Sequence, residues 1–74
     1  MHYVAYHIDD EEKSVPIATG IDKAETLGLA AQRVLMMGIT WGDIGVREQN
    51  NLLPHEFEKL TEILNEYFTK KIRT

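Results

Sequence analysis

The chain is expected to fold as one α+β domain spanning residues 1–74, and three observations carry that expectation. Segments 2–8 and 14–20 alternate along their length with period two, as half-buried strands do. Segment 54–71 repeats apolar residues every three and four positions, as an amphipathic helix does. The 74 residues include no cysteine, so disulfides and thiolate-held zinc are excluded as stabilisers of so small a domain.

In 2-HYVAYHI-8, Val4, Tyr6 and Ile8 share one side and Tyr3, Ala5 and His7 the other. The Val4 side is expected to meet the helices, leaving the Tyr3 side open to water or to a partner. The run 9-DDEEK-13 is too charged for burial and suits a solvated reversal. Alternation resumes in 14-SVPIATG-20, with Val15, Ile17 and Thr19 together. Pro16 cannot donate to a sheet ladder, so this strand is expected to lie at an edge or to carry its proline on the unpaired side. The two segments read as a β-hairpin.

The helical region 21–37 begins near Asp22, a fair N-cap, and allows two readings. As one helix, it aligns Ala24, Leu27, Ala31, Val34 and Gly38 on an inward stripe, and Gly28 costs only about 1 kcal/mol relative to alanine. As two helices, it turns at Gly28, where a residue tolerant of positive φ is favoured. Beyond Gly38, residues 43–48 read as a short third strand with Ile44 and Val46 on one face. Pro54 suits the first position of the last helix, whose stripe is Phe57, Leu60, Leu64, Tyr67 and Phe68, flanked by Ile63. Glu56 and Glu58 lie near its positive start and Lys70 and Lys71 near its negative end. Both helices are expected on one sheet face.

The two-helix reading resembles the helix-turn-helix family. Ala24 takes the small position of the first helix, Gly28 the turn and Val34 the β-branched position of the second, with Leu27 and Leu29 beside the glycine. A hairpin of the form 3-YVAYHIDDEEKSVPIATG-20 followed by such a segment is similar to small proteins encoded by prophages of Gram-positive bacteria, over about residues 3–38. The resemblance implies that Gln32 and Arg33 contact DNA. Leu35, Met36 and Met37 make much of that helix apolar, and Leu29-Ala30-Ala31 lacks the usual Ser/Thr cap.

Net charge is −4, and the one basic cluster is 70-KKIR-73, whereas nucleic-acid binders usually carry a basic face. Lys70, Lys71 and Arg73 would add phosphate contacts if DNA were the partner. With no basic leader and no long apolar run, a cytoplasmic location is the expectation. His2 and His7 fall on opposite sides of a strand. His55, Glu58 and Glu62 share a helical face but read as part of a solvated acidic flank rather than a metal site. The glycines match neither nucleotide-binding fingerprint, and no cofactor is expected.

The function expected is therefore that of a small non-enzymatic protein-interaction or accessory module, of phage or mobile-element type by resemblance. Self-association as a homodimer is the expected supplement to a core this small, with Leu35, Met36 and Trp41 as candidate interface residues. The alternative is a helix-turn-helix DNA-binding transcriptional regulator.

Overall fold

The computed structural model describes residues 2–49 and 51–72. Along the chain run β1 (Tyr3–Ile8), β2 (Ser14–Gly20), α1 (Lys23–Met36), β3 (Asp43–Glu48) and α2 (Pro54–Ile72). The strands form an antiparallel sheet in the order β2-β1-β3, so Pro16 lies on an edge strand, as its missing N–H requires.

The reversal between β1 and β2 is built by Asp9. Its Oδ1 accepts the backbone N–H groups of Glu11 and Lys13, each at 2.9 Å, the local bonding that makes aspartate a turn residue. Glu12 completes the turn at φ 62°.

The β1–β2 register contains a bulge. Ala5 faces Ala18 and Tyr6 faces Pro16, which leaves Ile17 without a partner across the ladder. An extra residue of this kind interrupts strict alternation. Ile17 and Ala18 both enter the core cluster beside Ala5, Ala30, Leu64 and Phe68. Ile44 and Val46, which pair with His7 and Ala5, pack against that cluster. This corrects the expected sidedness: Ala5 and His7 are buried, and the main core lies on their side of the sheet. Three alanines on this side let α1 lie close to the sheet, and α1 crosses all three strands. Val4 on the other side is also fully buried, whereas Tyr6 and Ile8 are only half-buried.

Helix α1 is unbroken through Gly28, which corrects the helix-turn-helix reading. Asp22 caps it by accepting the N–H of Glu25 at 2.9 Å, and the Thr26 hydroxyl donates to the Asp22 carbonyl at 2.7 Å. Gly38 ends it: at φ +69° it turns the chain back, and the next N–H, of Ile39, reaches the Val34 carbonyl at 3.2 Å. The buried stripe is Thr26, Ala30 and Arg33, with Leu29, Val34 and Met37 partly covered. Ala24, Leu27 and Ala31, expected inside, are exposed. The stripe is rotated because Arg33 takes an inward place.

Helix α2 starts at Pro54, where the Leu53 carbonyl accepts the N–H groups of Glu56 and Phe57 at 3.0 Å each. It packs chiefly against β2 among the strands, burying Leu64 and Phe68. Thr19 and Thr61 share a hydroxyl hydrogen bond at 2.7 Å, and the His2 and Phe57 rings stack at 4.2 Å.

Strand β3 forms the second edge. The Gln49 N–H donates to the His2 carbonyl at 2.7 Å, and the register continues with Val4 opposite Arg47, Tyr6 opposite Gly45 and Ile8 opposite Asp43. Antiparallel pairs alternate between bonded and unbonded. Asp43, Gly45 and Arg47 therefore turn their backbone groups toward β1, while Ile44 and Val46 turn theirs away from it. Among the described residues no strand pairs with that outer side.

Candidate interaction surface

Among the described residues, those expected to meet DNA do not share one exposed basic face. Arg33 is only 7% exposed. Its Nη1 donates to the Ile17 carbonyl and its Nη2 to Asn65 Oδ1, both at 2.7 Å. Its guanidinium also lies 4.6 Å from the centre of the Phe68 ring. Arg33 thus ties α1 to the β2 bulge and to α2 and is not offered to a phosphate. Burial pushes its guanidinium below the ordinary value, and no carboxylate pairs with it among the described residues.

Gln32 is exposed on α1. Lys70 is exposed on α2, where its Nζ stands 3.9 Å from Glu66 one turn earlier. The side chain of Lys71, and Arg73 altogether, lie outside the described residues. Gln32 and Lys70 belong to different helices and form no basic face with Arg33, whose charge is turned inward.

The expected interface residues are in water. Leu35 is 78% exposed, Trp41 55% and Met36 43%. Trp41 is held by its backbone: His7 Nε2 donates to the Trp41 carbonyl at 2.8 Å, and the buried His7 ring thereby pins the loop that enters β3. Gly42 follows at φ +84°, and a side chain there would collide with the Ile8 carbonyl and approach His7 Nε2 to 2.7 Å. The loop is thereby locked with the Trp41 side chain left outside.

A second apolar area, not anticipated from the sequence, lies where β2 meets α2. Val15, Pro16, Met37, Leu60, Ile63 and Tyr67 line a groove of about 350 Å³, and Val15 and Ile63 are themselves more than half exposed. The signal for it was present in Ile63, which sits beside the inward α2 stripe rather than within it.

Sites for small molecules are less developed. A wide trough of about 830 Å³ follows α2 past Phe57, Thr61, Asn65 and Thr69, but all of its lining belongs to that one helix, so nothing converges on a ligand. His55, Glu58 and Glu62 are exposed on the same helix. Among the described residues, no group of three or more His, Asp or Glu side chains is placed to hold a metal ion. No described helix is long and apolar enough to cross a membrane.

No protein-family model, no curated protein and no solved structure matches the chain.

Proposed function

We propose that the chain is a small non-enzymatic protein-interaction module, an accessory protein of the kind that phages and mobile elements carry. In this reading both helices pack on the cluster around Ala5, and large apolar side chains outside that core meet a protein partner. The observation that carries the proposal is how much apolar surface so short a chain leaves in water. Leu35, Trp41, Val15 and Ile63 are each more than half exposed, on α1, the loop after it, β2 and α2. Val15 and Ile63 line one apolar groove, and exposed apolar surface gathered in this way usually marks a contact site. A domain of this size also buries only about 60% of its unfolded surface, so burial against a partner adds stability that its own core cannot supply. The phage or mobile-element setting rests on the resemblance of the hairpin over residues 3–20, since the continuous α1 leaves no turn at Gly28.

Sedimentation at micromolar concentration tests the reading. The wild-type chain is expected to self-associate, and Trp41→Ala or Met36→Lys to weaken that association. A strict monomer in all three forms would remove self-association as the use of this surface. Retention on mixed duplex DNA at about 50 mM salt, lost steeply as salt rises, would instead favour the regulator.

A further inference from the structure

We infer that two copies of the chain join edge to edge, β3 against β3, in one antiparallel register that sets Asp43 of each copy opposite the partner's Arg47. The inference rests on the interaction reading above and names its partner as a second copy.

Ile44 and Val46 direct their N–H and C=O groups away from β1, so an antiparallel neighbour must bond to these two residues. A two-fold axis through Gly45 pairs Ile44 with the partner's Val46, and Val46 with the partner's Ile44, as bonded pairs. The core-side apolar row then continues across the joint, because Ile44 and Val46 already pack on the cluster around Ala5.

The same axis brings Asp43 and the partner's Arg47 together on the opposite face, once on each side of Gly45. Both residues are exposed, and neither has an ion-pair partner in its own chain among the described residues. The two central glycines meet at the pair where strands approach most closely. Sliding the strands one step along the alternation, in either direction, destroys this match. One slide sets Ile44 against the partner's Glu48 and leaves Arg47 opposite glycine. The other sets Asp43 opposite glycine and Val46 opposite the partner's Gly42. Half a step is excluded, since it would turn bonded groups away from each other. One register satisfies backbone, apolar row and charge together.

The test is charge reversal followed by mixing. Asp43→Arg alone places two arginines opposite each other at both ends, and Arg47→Asp alone places two aspartates there. Each single variant is expected to weaken the dimer about tenfold or more. Mixed together, the two variants restore an Asp–Arg pair at both ends and are expected to form a heterodimer as strong as the wild type. Circular dichroism confirms that each variant is folded.

A measurement without substitutions runs beside it. Amide exchange at Ile44 and Val46 is expected to slow tenfold or more as wild-type concentration rises through the dissociation constant. Gly45 and Arg47, already bonded to β1, change far less. Single variants that dimerise like the wild type, or a mixture that stays monomeric, would overturn the edge assignment. If Trp41→Ala alone abolishes the dimer while charge reversal leaves it unchanged, the apolar surface joins the copies: the edge assignment fails and the interaction reading stands. A monomeric wild type with concentration-independent exchange overturns the pairing outright.

Discussion

Arg33 shows how one side chain can organise three elements. Its guanidinium answers the Ile17 carbonyl, a group at the bulge whose residue has no partner across β1, and also holds Asn65 on α2. Arg33→Ala removes both bonds, strands a buried carbonyl and empties the space against Phe68. The expected loss is about 2–4 kcal/mol of unfolding free energy, read from urea titration. A loss under about 0.5 kcal/mol would show that the clamp does not matter. The pH behaviour has a definite sign. A cation whose folded value is lowered binds its proton less tightly when folded, so its contribution to stability rises with pH only between the lowered folded value and the higher unfolded one. For a guanidinium that window lies at the far alkaline end, so wild-type and Arg33→Ala stability curves should run parallel from mildly acidic to mildly basic pH. Gly42 acts by absence instead. Gly42→Ala meets a strained φ and the Ile8 carbonyl at once, and is expected to cost at least about 1 kcal/mol. It should also change the fluorescence of Trp41, the one tryptophan in the chain.

At the scale of elements, Gly28 separates the two readings of α1. It lies within the continuous helix, and a methyl group added there meets nothing within 4 Å. Gly28→Ala is therefore expected to stabilise the protein by about 0.5–1 kcal/mol, raising the melting temperature by a few degrees. A turn glycine would give the opposite sign, so a destabilised variant would contradict the continuous helix. Element positions were legible because they rest on local periodicity: β1, β2, β3 and α2 lie where alternation or three-four spacing puts them. Faces were not legible, for two physical reasons. The bulge at Ile17 shifts parity within β2, which no reading of alternation along one strand reveals. Arg33 is a charged residue that pattern rules place in water, and its burial depends on a carbonyl and an amide brought from sixteen and thirty-two residues away. Reading it as polar rotated the expected α1 stripe toward Leu27 and Ala31. The candidate surface was legible in part: Leu35, Met36 and Trp41 are exposed as contact residues must be, whereas the groove at Val15 and Ile63 required the packing of α2 on β2.

For the whole molecule, the sheet has two edges that are treated differently. β2 carries Pro16 and is flanked by α2, two devices that discourage a further strand. β3 has neither, and carries one acid and one base at mirror positions about Gly45. Charges on an edge strand commonly repel a second copy; placed this way they select one register and penalise the rest. If the copies pair, stability must depend on concentration, because the dimer is the form that unfolding has to break. Above the dissociation constant each tenfold rise in concentration adds about 1.4 kcal/mol per dimer, or about half that per chain. For a chain of this length that corresponds to roughly 3–5 °C in melting temperature. Calorimetry across two decades of concentration should show this rise in the wild type, with its onset moved tenfold or more upward in concentration in Arg47→Asp, and the equimolar mixture of Arg47→Asp and Asp43→Arg restoring the wild-type onset. A wild-type melting temperature independent of concentration, together with sedimentation as a monomer, would leave β3 as an edge protected by its charges.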